Sequence, residues 1–288
     1  MMYGFGIGIS PSNRLFSGVI ANTYYLDDYG TPVVWYELVK RFSAYSGACI
    51  RVRRSSDNAE QDINFVDDLL DTASLLSFVG AGNGFVTTFY TQVGSQNLTN
   101  STATEQPQIV SSGALITRNG FVSIKYDGSN DNLFNWSSAF LNINDVSYFS
   151  IAQNDVANGN GVIHSQGQST NITIRTFCDR RVDKIFLVVS NPSTNYFANM
   201  SIQRDNSNLR LLSGFINSSN NMSAYDNGAN GGTDTHTGSI TNNGLRLGQQ
   251  FGASWLNGSI NCFGAYNTDN SANRVAIETI LNNYYTIY

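Results

Sequence analysis

Lysine occurs only three times in 288 residues, at Lys40, Lys125 and Lys184, and all charged residues together make up 13%. A surface that tracks a phosphate backbone needs clustered Lys and Arg. The net charge of −5 runs the other way, which argues against nucleic acid as a partner. The one basic cluster, Arg51, Arg53 and Arg54, is flanked by Asp57, Glu60 and Asp62. It reads as arginines that pair with nearby acids and hold a loop against the fold. Histidine is as scarce, with His164 and His236 alone, and Cys49, Cys178 and Cys262 lie far apart. No CxxC or Cys/His ligand spacing exists, which argues against a structural zinc site, and no cofactor is assigned. Cys49 and Cys262 read as buried small hydrophobes, and a bridge through Cys178 stays open. No apolar stretch is long enough to span a bilayer, and Met1–Ile9 has neither a basic n-region nor a cleavage site. The expectation is no signal peptide and no membrane insertion.

What is present is β-forming and polar without being charged. Hydrophobic residues reach 41% and aromatics 12%, enough for a large core. The surface must then be built from Asn, Ser, Thr and Gln, a composition common in secreted and particle-borne proteins. Strand signals run from Phe85–Tyr90 through Leu209–Phe215, with β-branched and aromatic residues between turns such as Asp127–Asn132. Two helices are predicted at 32–45 (Val34, Leu38, Val39 and Phe42 inward) and at Leu70–Val79 with Asp71 as N-cap. A third at Val275–Tyr285 turns Val275, Ile277, Ile280, Leu281 and Tyr284 inward. Many short strands between turns predict an all-β antiparallel sandwich.

Two blocks carry family likeness. Tyr36–Phe65, "YELVKRFSAYSGACIRVRRSSDNAEQDINF", with Leu70–Gln92, resembles the opening of the catalytic domain of family 54 α-L-arabinofuranosidases. It resembles phage structural proteins more closely. Asn243–Tyr285, "NGLRLGQQFGASWLNGSINCFGAYNTDNSANRVAIETILNNYY", is similar to the last strands and closing helix of laminin-G-like domains. Both blocks imply one concanavalin A-like jelly roll over residues 33–288, with 1–32 as an N-terminal extension. The phage resemblance implies a virion protein without enzymatic activity: a capsid decoration, head fibre or tail component.

The hydrolase resemblance also implies where catalytic carboxylates belong, and these positions depart from it. The family's "GGDNS" segment is matched by Gly248-Gln249-Gln250-Phe251-Gly252, and its "EAIYLG" strand by Asn199-Met200-Ser201-Ile202-Gln203. Glutamine keeps the shape but cannot ionise, and a retaining glycosidase needs two carboxyls about 5–5.5 Å apart. No catalytic residue is assigned, although a pair contributed by other loops remains an alternative.

Sugar recognition combines an aromatic platform with amide and acidic groups in loops. Trp136, Trp255, Tyr196 and Tyr225 are the aromatic candidates. The segment "YDNGANGGTDTHTG" (Tyr225–Gly238) reads as an Asx-rich loop offering Asp226, Asp234 and His236. Such a loop has oxygen ligands for calcium but lacks EF-hand spacing and a bidentate Glu, so an ordinary solvated loop is the stronger reading. The expected ligand set is therefore Trp136, Tyr225, Asp226, Asp234 and Trp255, facing host surface glycans. At the N-terminus Tyr3, Phe5, Ile7 and Ile9 alternate with small residues, a pattern suited to docking on a neighbouring virion protein or sister subunit. A homo-oligomer is expected, since symmetric shells and tails are bound by symmetric assemblies.

Overall fold

The computed structural model describes residues 25–136, 141, 145–156, 161–166, 173–179, 184–190, 194–203, 208–237, 244–250 and 253–288. The docking residues Tyr3, Phe5, Ile7 and Ile9 lie outside them, as do Phe251 and Gly252.

The chain folds as an antiparallel β-sandwich of jelly-roll type. In the back layer Ala229–Thr235, Asn221–Asp226, Arg210–Ile216, Val146–Asn154 and Asn257–Tyr266 pair in that order. The far side of Asn257–Tyr266 carries Ile124–Asp127 along its first half and Val34–Glu37 along its second. The front layer runs Glu60–Ile63, Ile50–Arg54, Gly84–Phe89, Leu98–Thr99, Leu133–Asn135, Leu245–Leu247, Gly161–Gln166, Thr173–Asp179, Lys184–Ser190 and Asn195–Gln203. Gln108–Ser111 pairs with both Gly84–Phe89 and Ile124–Asp127 and so joins the layers along one edge. Along the other edge the Asp234 carboxylate accepts the Phe197 backbone N–H at 2.8 Å. Among the described residues no helix is long and apolar enough to cross a membrane.

Two apolar cores result, one on each face of the back layer. Between the layers lie Val34, Tyr36, Ile50, Val52, Leu133, Tyr148, Leu245 and Phe263. Outside the back layer lie Trp35, Phe149, Ile151, Leu211 and Cys262, covered by Leu26, Phe42 and the helix Arg274–Tyr285. Gly264 pairs with both Trp35 and Phe149. A Cβ there would sit 2.1 Å from the Trp35 ring, so only glycine lets the indole lie flat on the sheet.

That double burial corrects the helix predicted at 32–45. Val34–Glu37 is a strand buried on both faces. Val34 and Tyr36 enter one core and Trp35 the other, so the apolar run has no polar face and its helical spacing is coincidental. The helix Thr72–Val79 forms as predicted, with the Asp71 carboxylate accepting the Ser74 N–H at 2.9 Å. In the last helix Ile277 and Leu281 are buried and Ile280 and Tyr284 pack half-buried against the same core, but Val275 is 62% exposed and Tyr285, outside the predicted stripe, is buried. Of the segment read as a loop, Tyr225–Thr235 is likewise not one. It belongs to a hairpin turning at Asn227-Gly228, both at positive φ (50° and 75°), the Asn-Gly geometry of a two-residue turn.

The basic cluster is held as expected for two of its members. Arg51 bonds Glu60 and Asp62, and Arg54 bonds Asp57. Arg53 instead donates to Gln106, Asn58 and the Ala103 carbonyl, with its guanidinium 4.8 Å from the Phe85 ring. Cys49 and Cys262 are buried free thiols.

His164 is fully buried between Tyr148 and Phe263, each ring 4.7 Å away, and neither of its nitrogens has a hydrogen-bond partner among the described residues. Burial drives its pKa down from 6.5 to about 3. The unfolded chain therefore takes up a proton that the folded chain refuses, so stability present above the unfolded pKa is lost as pH falls from about 6.5 toward 3. His164→Leu, nearly equal in volume, is expected to flatten that acid limb. Urea midpoints between pH 4 and 7 measure it; an unchanged slope would place the acid sensitivity elsewhere.

Candidate functional site

Directly paired residues of an antiparallel ladder share a face. Thr99, Phe134, Arg246 and Ser165 are such partners on four adjacent strands of the front layer. Their neighbours Leu98, Leu133, Leu245 and Leu247 all enter the inter-layer core. The row therefore looks away from the core, onto the other face of the front layer, where Thr99 is exposed and Phe134 half-buried while Arg246 and Ser165 are buried.

At its centre the Arg246 guanidinium lies 4.4 Å from the Trp136 ring and 5.5 Å from the Phe134 ring. The two rings are 5.1 Å apart and tilted by 44°, and both are half-buried. Arg246 also donates to the Gln249 side-chain oxygen. Gln249 is anchored in turn, its carbonyl accepting the Ser165 hydroxyl at 2.7 Å. A short hairpin pairs Gln249 with Trp255, whose buried indole N–H has no partner among the described residues. Burial pulls the Arg246 pKa down to about 10, against the upward pull of Glu105. The result is a fixed platform of two aromatic rings, a guanidinium and a carboxamide.

One carboxyl close to this region behaves unusually. Asp131 accepts the Asp127 backbone N–H at 2.9 Å. Burial, followed by the charge of Asp127, raises its pKa to about 7, with Glu105 adding a smaller push. It therefore keeps its proton to a higher pH than an ordinary aspartate.

The five expected ligand residues fall into two groups and one outlier. Trp136 and Trp255 are brought to the Arg246–Gln249 platform. Tyr225 and Asp234 line a groove of about 540 Å³ beside the back layer. Asp226 joins neither: it is fully buried, and Arg210 holds its carboxylate through three contacts of 2.7–3.1 Å. Tyr196 bonds Thr237 at 2.6 Å on the closing edge. The Asn199–Gln203 segment lies in the strand Asn195–Gln203, with its side chains outside the described residues. Among the described residues no cluster of His, Cys, Asp or Glu could hold a metal ion. Sequence reasoning missed Arg246 and Phe134. The signal was there in Leu245-Arg246-Leu247, a lone charge between two core leucines on a strand.

The fold is that of arabinofuranosidases. An arabinofuranosidase complexed with arabinofuranosyl-α-1,2-xylobiose superimposes with a TM-score of 0.62 at 13% identity over 86% of this chain. A family 54 α-L-arabinofuranosidase soaked with a cyclic sulfate inhibitor gives 0.60 at 12% identity over 87%. The chain spans 62% of the length of each. No family model matches the sequence, and no curated protein does. At such identity the likeness establishes the architecture and leaves activity to the residues themselves.

Proposed function

We propose that this chain is a carbohydrate-binding β-sandwich that holds a glycan on the Phe134–Trp136–Arg246 face without cleaving it, as a component of a phage particle. The observation that carries the reading is the platform itself. Sugar C–H faces pack on aromatic rings, while planar guanidinium and carboxamide groups bond the hydroxyls that fix orientation. Gln250, which stands where the resembling hydrolases have an acid, is neutral, and its neighbour Gln249 is already bonded to Arg246. Glycan arrays followed by calorimetry test this reading, and absence of binding to any neutral oligosaccharide would overturn it. The particle assignment is supported by the resemblance of residues 36–92 and by the Asn/Ser/Thr-rich composition. Mass spectrometry of purified particles, with copy number, tests it. Tyr3–Ile9 is the proposed docking strand, and deleting Met1–Ser10 is expected to leave a folded sandwich that no longer joins particles.

A second reading, hydrolysis of arabinofuranosides, is favoured by the shared fold and by Asp131, whose raised pKa favours the protonated form that a general acid needs. Aryl arabinofuranosides separate the two. The expected result is no turnover above buffer. Turnover by the parent protein, lost in Asp131→Asn, would establish the hydrolase instead.

A further inference from the structure

We infer that the groove beside the back layer is a second sugar-binding site, selective for neutral over acidic sugars. Its volume of about 540 Å³ falls within the range of small-ligand pockets. One wall is the half-buried Tyr225 ring, held from two sides: the Arg274 guanidinium lies 4.0 Å from its centre and the Phe215 ring 5.9 Å away. Arg274 covers one face of the ring, and a ring braced in this way presents its remaining exposed surface to a ligand at little entropic cost. The opposing lining is polar and available. The hydroxyls of Ser223, Thr233 and Ser271 carry no hydrogen bond among the described residues, and all three residues line the groove. Ser223 and Thr233 are cross-strand partners, so their hydroxyls project side by side from one face, a spacing suited to vicinal sugar hydroxyls.

Charge sets the class of ligand. The lining includes two acids, Asp234 and Asp269; Asp234 turns its carboxylate to the Phe197 N–H on the far side of its strand, which leaves Asp269 to repel a carboxylate. The nearest cation, Arg274, lies against the Tyr225 ring and bonds Glu278 at 2.5 Å. An uronic or sialic acid thus meets the Asp269 carboxylate and, among the described lining residues, no Lys or Arg, whereas a neutral sugar meets hydroxyls and a ring. This site has the same ligand class as the proposed front-layer site but not one residue in common with it.

Saturation-transfer NMR with methyl α-L-arabinofuranoside, methyl β-D-glucopyranoside and glucuronate tests the inference. Trp136→Ala is expected to retain a signal from the neutral glycosides. Adding Thr233→Trp, which fills the groove from an exposed edge-strand position, is expected to abolish it while thermal unfolding stays unchanged. Glucuronate should bind at least about 10-fold more weakly than either glycoside. Loss of all signal in Trp136→Ala alone, or its persistence in the double variant, would overturn the second site, as equal binding of glucuronate would overturn its selectivity. If Thr233→Trp alone removes all signal, the front-layer reading fails and this one stands.

Discussion

Trp136→Ala is expected to weaken binding of a neutral oligosaccharide by about 10- to 100-fold, leaving the fold intact. The indole is half-buried and forms one side of the Arg246 platform, 4.4 Å from the guanidinium. Removing it takes away a stacking face and lets water reach Arg246, so the guanidinium's bonds to sugar hydroxyls must compete with solvent. Truncating a central aromatic anchor typically costs about 1.4–3 kcal/mol, which is the stated range. The side chain lies outside both apolar cores, so the urea midpoint should move little. Trp136→Phe should recover most of the affinity, because a smaller ring still stacks. Calorimetry on the three proteins decides it, and an unchanged affinity in Trp136→Ala would remove the front-layer face from the binding site.

Arg41→Met is expected to be the most destabilising single change near the back layer, at about 3–5 kcal/mol. Arg41 is fully buried and bonds the Glu37 carboxylate at 2.8 and 2.5 Å. The other Glu37 oxygen accepts the Trp35 indole N–H at 2.7 Å. Removing the guanidinium strands a carboxylate under the last helix with no water to replace its partner. Breaking one half of a buried pair is costly even where replacing both halves is not. The double variant Glu37→Gln/Arg41→Met should therefore be more stable than Arg41→Met alone. Urea unfolding monitored by Trp35 fluorescence measures both, and equal midpoints for the single and double variants would show that the stranded charge is not the cause.

The parts of the fold that could be read in the sequence are those set by local chemistry. Asp71 before an apolar helical run marks a helix start because its carboxylate satisfies a free N–H. The Phe85–Tyr90 and Val146–Gln153 runs mark strands because branched and aromatic side chains fit a pleated surface. Asn227-Gly228 was equally legible as a hairpin turn, and was passed over because the glycines and Asx residues around it look like a loop. The 32–45 segment was not legible. Its Val-Trp-Tyr run is consistent with either helix or strand, and only the ladder from Val34↔Ala265 to Glu37↔Cys262 decides between them.

The candidate site divides along the same line. Sequence alone determined that the chain is all-β, low in charge and poor in metal-ligand chemistry, with Gln249-Gln250 inside the segment that resembles the hydrolases' "GGDNS". It could also name Trp136 and Trp255 as aromatics near strand ends. Only the tertiary structure decided that Asp226 is internal, held by Arg210, while Arg246 is drawn between Phe134 and Trp136 beside Gln249. The reason is one of range. Propensity, turn chemistry and ionisability belong to a few adjacent residues, whereas a binding face is made by cross-strand register. That register brings Phe134, Ser165 and Arg246 side by side, from positions more than thirty residues apart, and no local pattern encodes it.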